Sequence, residues 1–212
     1  MTGKDERRDL DRFVKQAANL RGHTCMGLPL GVKMALKGMS LMRLVEGFDR
    51  DNMMVVVENN KCPVDGIQVV TGCTAGSRRL TVLNYGKSAA VFYDGRTGRG
   101  YRVTTRRDYV KKAVALAIAD GLIRPNQPVD ALSQLERKVM LNAFSKLPMD
   151  ELLESEEVQV HDELLQAPRM QRRVNCSACG EEIMDGKGIR KGRRTLCPTC
   201  AQGNYYESGR KR

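Results

Sequence analysis

Residues 174–203, VNCSACGEEIMDGKGIRKGRRTLCPTCAQG, decide how the chain is built. Cys176-Ser-Ala-Cys179 and Cys197-Pro-Thr-Cys200 form two CxxC pairs with residues 180–196 between them. Each such turn aims two sulfurs at one tetrahedral ion, and the intervening loop brings the second pair round to complete the set. The spacing predicts one structural zinc ion, Zn(2+), on Cys176, Cys179, Cys197 and Cys200. A redox dithiol would explain one pair but not both. Gly180 suits a tight knuckle, the glycines at 186, 188 and 192 give the loop hairpin composition, and AQGNYY opens a short helix. Knuckle, hairpin and helix in that order describe a treble-clef-like finger. A piece of about forty residues cannot bury enough apolar surface to fold alone, so the metal supplies what its core lacks.

Upstream, Pro168 and the RMQRR that follows it read as a hinge. The expected organisation is an α+β core domain over residues 1–165 and a four-cysteine zinc-finger domain over 166–212. Charge follows the same division. Residues 1–165 carry 25 Lys and Arg against 21 Asp and Glu, whereas 166–212 carry 11 against 4, within a formal net charge of +11. A basic finger invites an anionic partner, and Arg190, Lys191, Arg193 and Arg194 make nucleic-acid binding the alternative function. Such binding through charge alone is nonspecific and salt-sensitive. Aromatics are 5% of the chain and tryptophan is absent, which leaves little material for base stacking.

In the core, residues 5–20 place Leu10, Phe13, Val14, Ala17 and Leu20 at helical spacing, stopped by Gly22. LPLGVKMALKGMSLMRLVEG (28–47) is apolar on most sides, as a buried helix is. NMMVVVE (52–58) reads as a buried strand. A loop-to-helix step follows at NNKCPVDGIQVVTGCT. Leu80–Asn84, Ala89–Asp94 and Tyr101–Thr105 are expected to form a meander. Helices are expected over 108–120 and 129–147. The acidic interval 150–163 is expected to hold a short helix, MDELLES, then a strand around VQVHDEL. Strands and helices without strict alternation indicate an α+β sheet domain.

The other three cysteines lie in glycine-bearing loops: Cys25 in GHTCMG, Cys62 in NNKCPVDG, Cys73 in TGCTAG. Cys25 and Cys62 precede expected helix N-termini, where the macrodipole favours a thiolate. His23 is placed to share a metal with Cys25 or to take its proton. Spacing alone leaves ordinary buried cysteines as the competing reading. Three blocks bear on that choice: GHTCMGLPLG (22–31), VVVENNKCPVDGIQVVTGCTAG (55–76) and NYGKSAAVFYDGRTGRGYRV (84–103). In order, spacing and identity they resemble the FmdE family, named for a component of formylmethanofuran dehydrogenase. The resemblance covers roughly residues 10–110 and extends more weakly to about 165. It implies an α+β core, often followed by a zinc finger, and a metal or active site built around His23, Cys25, Cys62 and Cys73. It also implies an association with a molybdenum or tungsten oxidoreductase complex, as an accessory component without the redox centre. Lys61, Arg78 and Arg79 depart from the family pattern and add positive charge near the cysteines.

Sulfur with imidazole suits zinc, iron or copper(I), so a second transition metal is expected in the core. An enzyme would use Cys25 as nucleophile, with His23 or Asp65 positioning a proton. No Ser-His-Asp set, GxxxxGK[ST], dinucleotide fingerprint or HExxH is present, so no independent catalytic signature stands behind that reading. Met34, Met39 and Met42 on one apolar helix suggest a face for a homodimer. No apolar run is long enough to span a membrane, and the charged MTGKDERRDLDRF is unlike a signal peptide. With an odd number of cysteines, these features predict a cytoplasmic protein with reduced thiols and no membrane partner.

Overall fold

The computed structural model describes residues 3–121, 123–124, 132–165 and 173–207. The chain divides into two compact units, Met1–Leu165 and Gln166–Arg212.

The first unit is a mixed α+β domain around a five-stranded sheet. Its strands are β1 (Met53–Val57), β2 (Leu80–Val82), β3 (Ala89–Asp94), β4 (Arg99–Thr105) and β5 (Leu153–Gln159), in the order β2-β1-β3-β4-β5. The helices are α1 (Gly3–Arg21), α2 (Gly27–Met42), α3 (Pro63–Thr71), α4 (Tyr109–Ala119), α5 (Gln134–Lys146), α6 (Met149–Leu152) and α7 (Asp162–Leu165). Two-residue alternation along β1 divides the faces of the sheet. Met53, Val55 and Val57 enter the main core with Val32, Met34 and Met42 of α2 and Phe92 of β3. Val56 and Tyr93 face a smaller cluster with Val160. There the Tyr93 hydroxyl donates to the Leu164 carbonyl at 3.0 Å, holding α7 against the sheet.

Three expectations change. The meander is absent: β1 lies between β2 and β3, and β2 runs parallel to it through Val55–Leu80 and Val57–Val82. The crossover through α3 makes this possible, because parallel neighbours need a long connection. Secondly, the acidic segment begins its strand at Leu153, inside the stretch expected to be helical. Its carboxylates stand against arginines of β4: Arg102–Glu156 at 3.3 Å and Arg99–Glu157 at 3.5 Å. A charged outer strand is also a poor template for further pairing. Thirdly, the end of the expected VQVHDEL strand is helix α7. The helix expected over 129–147 starts at Gln134, where Ser133 and Glu136 form a capping box; its expected first residues, and the hinge at Pro168, lie outside the described residues.

Met34 and Met42 are 1% and 0% exposed, so they fill the core and offer no surface for self-association. Met39 lines a cleft of about 600 Å³ together with Phe13, Leu36 and Leu41.

The second unit contains β6 (Val174–Asn175), β7 (Glu182–Ile183), β8 (Ile189–Lys191), β9 (Arg194–Leu196) and α8 (Pro198–Gln202). β6 pairs with β7 and β8 with β9, both antiparallel. Its small core is Cys176, Ile183, Leu196 and Cys197.

Candidate functional site

The four finger cysteines converge. Their sulfurs all lie within 4.8 Å of one another, and they are the only group of three or more potential metal ligands among the described residues. A tetrahedral ion with sulfurs at about 2.3 Å sets those sulfurs about 3.8 Å apart. Cys179 Sγ and Cys197 Sγ are 3.9 Å apart. Backbone N–H groups complete the outer shell, as metal-bound sulfur requires. Cys197 N donates to Cys176 Sγ at 3.2 Å, Ala178 N to the same sulfur at 3.5 Å, and Cys200 N to Cys197 Sγ at 3.4 Å. Gly180, at φ 79°, closes the knuckle through its N–H to the Cys176 carbonyl. The N–H groups of Cys179, Cys197 and Ala178 hold the Cys176 thiol at about 6. The Glu181 N–H favours the Cys179 thiolate, but burial and the three neighbouring sulfurs override it and push that thiol up to about 12. A divalent ion is what allows all four to ionise together, so the residues fit zinc.

In the core domain, α2 and α3 meet through glycine. A Cβ on Gly31 would stand 2.1 Å from the Pro63 carbonyl oxygen, and one on Gly66 would stand 2.7 Å from the Val32 nitrogen. This approach brings the two helix N-termini together. Cys25 lies just before α2 and Cys62 just before Pro63, the first residue of α3, and the two thiols are hydrogen-bonded to each other. The Gly27 position is equally tight, with its Cβ direction 2.9 Å from Cys62 Cβ. Arg21, the last residue of α1, spans the site. Its Nη1 donates to Asp65 Oδ2 at 2.6 Å and its Nε to His23 Nε2 at 3.2 Å.

The structure therefore joins Cys25 and Cys62, with His23 exposed beside them and held by Arg21. Cys73 is elsewhere. It follows Gly72, the left-handed C-cap of α3, so a nine-residue helix of about 13 Å separates it from Cys62. Its thiol is fully buried and donates to the Met53 carbonyl at 3.5 Å. The expectation of an activated Cys25 thiolate is also corrected. Burial, then the Cys62 thiol, push Cys25 up to about 11, against the opposing pull of the Gly27 N–H and Arg21.

Two residues stand out that the motifs do not mark. In the sequence Arg21 reads only as a helix stop, yet a basic last turn directly before His-x-Cys signals a side chain aimed at that loop. Lys33 carries no such signal. It is 4% exposed, and its Nζ donates to the carbonyls of Phe144 (2.8 Å), Ser145 (2.9 Å) and Leu147 at the end of α5.

Fold and site together define an α+β domain bearing a thiol pair, joined to a four-cysteine zinc finger. Residues 20–170 match the family described as FmdE, Molybdenum formylmethanofuran dehydrogenase operon. Residues 171–206 match the Prokaryotic dksA/traR C4-type zinc finger. The chain belongs to the FmdE family. It is similar to a solved FmdE-like protein of tungsten formylmethanofuran dehydrogenase from Syntrophus aciditrophicus, at 25% identity and TM-score 0.66, over 93% of this chain and 95% of that one. A protein of Archaeoglobus fulgidus named "Probable S-adenosyl-L-methionine-binding protein" is 31% identical over 208 residues, 93% of this chain and 54% of the relative. The chain thus spans about half the length of that curated relative.

Proposed function

We propose that this protein is a metal-binding accessory protein of the FmdE type, with a core site centred on Cys25 and Cys62 and a structural zinc in the finger. The observation that carries the core site is the meeting of two thiols at the N-termini of α2 and α3. Two sulfurs with an adjacent imidazole are a soft donor set, suited to zinc, iron or copper(I). Cys25 and Cys62 would hold the ion, and His23 would join them once Arg21 gives up its bond to Nε2. Arg21, anchored to Asp65, supplies the positive charge that would offset two thiolates. Cys73 is structural in this reading.

The knuckle, hairpin and short helix of the finger support a treble-clef arrangement. Cysteines present as free thiols support a cytoplasmic location, and no helix among the described residues is long and apolar enough to cross a membrane. The family likeness supports assembly with a molybdenum or tungsten oxidoreductase. The cleft lined by Phe13, Leu36, Met39 and Leu41 is the face we assign to a homodimer.

Metal content per chain, by mass spectrometry of the native protein, tests the core site. Two ions are expected in the wild type and one in Cys25→Ser/Cys62→Ser. The reverse pattern, one ion in Cys176→Ser/Cys179→Ser, checks the finger. A single ion in the wild type that survives the core substitutions would end the proposal.

A further inference from the structure

The finger carries a surface that its zinc does not explain. The β8–β9 hairpin turns through Gly192-Arg193, with Lys191 opposite Arg194. Gly192 at φ 61° takes the first central position of the tight turn, where a side chain would be strained. This sets Arg190, Lys191, Arg193 and Arg194, all exposed, around one hairpin tip. Like charges directly across a ladder repel, so the pairing of Lys191 with Arg194 is unfavourable unless something anionic is near. Among the described residues no carboxylate forms an ion pair with any of the four. Lys191 Nζ instead donates to the Ala201 carbonyl at 2.8 Å, and Arg194 Nη2 to the Ser177 carbonyl at 3.2 Å.

The Lys191 bond ties the hairpin to α8, whose chain continues directly into Tyr205 and Tyr206. Four residues of chain span at most about 14 Å, so the two rings stay near the hairpin. Tyr205 is 94% and Tyr206 55% exposed, with ring centroids 5.0 Å apart and planes at 79°. Aromatic rings this bare are costly in water and useful to a partner. A chain whose aromatics are only 5% of its residues places two of its six tyrosines here.

We infer that the β8–β9 tip and the Tyr205–Tyr206 pair form a binding surface for single-stranded nucleic acid. The arginines and lysine take phosphates, and the tyrosines stack on bases that only an unpaired strand exposes. Duplex recognition fits less well, because α8 has five residues and presents no side chains suited to reading a groove. An acidic protein would satisfy the charges but leave the two rings without a role. The inference goes beyond the core metal site and does not depend on it.

The test uses the full-length, zinc-loaded protein with fluorescein-labelled 12-nucleotide oligo(dT), and a duplex of the same length, read by anisotropy over a range of KCl. Single strands should bind at least about tenfold tighter than duplex. The slope of log K against log salt should be about −2 to −3, as expected for three or four phosphates. Because tryptophan is absent, tyrosine emission reports stacking directly and should be quenched on binding. Tyr205→Ser/Tyr206→Ser should weaken single-strand binding about 30-fold and leave the salt slope unchanged. Arg190→Ala/Arg193→Ala should flatten the slope by about 1.4. Zinc content is measured in each variant to show that the finger remains folded, and Cys25→Ser/Cys62→Ser should bind as the wild type does. Absence of binding at about 20 mM salt, equal affinity for duplex, or indifference to the tyrosine substitutions would overturn the inference.

Discussion

Replacing Gly31 with alanine tests whether the thiol pair depends on the contact between α2 and α3. On an exposed helix the change would stabilise by about 1 kcal/mol, since glycine is the poorer helix former. Here the new methyl would lie 2.1 Å from the Pro63 carbonyl oxygen and 2.6 Å from its carbonyl and α carbons. An ordinary carbon–oxygen contact is about 3.3 Å, so the helices must separate by about 1.2 Å. Pro63 cannot yield by a rotamer change, because the obstruction is backbone at the first turn of α3. Overpacking of this kind costs about 1–3 kcal/mol, and the helix-propensity gain recovers only part of it. For a chain of this length a net loss of about 1–2 kcal/mol lowers Tm by about 2–8 °C. Because Cys62 immediately precedes Pro63, the same movement draws the two thiols apart. Thermal unfolding by circular dichroism gives the stability. Capture of Cys25 and Cys62 by a bifunctional arsenical, which needs two adjacent sulfurs, gives the geometry. We expect a lower Tm and at least tenfold weaker arsenical binding. A variant that is more stable than wild type and binds the arsenical equally well would refute the account of how the site is held together.

Lys33→Met should destabilise the core by about 1–3 kcal/mol, because it leaves buried carbonyls at the end of α5 without a donor; a rise in Tm would mean that burying the ammonium costs more than its bonds return. Burial lowers Lys33 to about 8 from an ordinary 10.5. A base depressed in the fold gives stability that grows as pH rises from about 8 to 10.5, and this rise should be absent from Lys33→Met urea titrations. Cys25, pushed up to about 11, should react slowly with iodoacetamide at pH 7 in the metal-free protein and accelerate through pH 9–11; rapid alkylation at pH 7 would restore the nucleophile reading. Its raised value also contributes stability that is complete below its unfolded value and lost as pH rises towards 11. Zinc affinity of the finger should fall as pH falls, and more steeply below about 6, where Cys176 also takes a proton in the metal-free state. Chelation should abolish the amide dispersion of residues 173–207 and leave the core melt unchanged, as followed by NMR and circular dichroism.

The sequence by itself determined the finger. Two CxxC pairs constrain four sulfurs through chemistry so local that no distant contact is needed to read it. It also determined most elements of the core, because valine runs, helical spacing and the Gly22 and Gly72 stops are short-range signals. The His-x-Cys and Cys-Pro-Val-Asp blocks marked where a site would be, and family likeness gave it a context. Tertiary structure alone decided which of those cysteines meet. Cys62 and Cys73 are separated by a rigid helix, whereas Cys25 and Cys62 are distant in sequence and joined by glycines whose only signal is the absence of a side chain. It likewise set β1 between β2 and β3, because strand order depends on which edge the α3 crossover reaches. It made the acidic segment a strand, because Glu156 and Glu157 find their charge partners on β4. Lys33 shows the same limit most plainly: a lysine on an apolar helix face is unfavourable until a second helix, about a hundred residues away, ends beside it with its carbonyls unpaired.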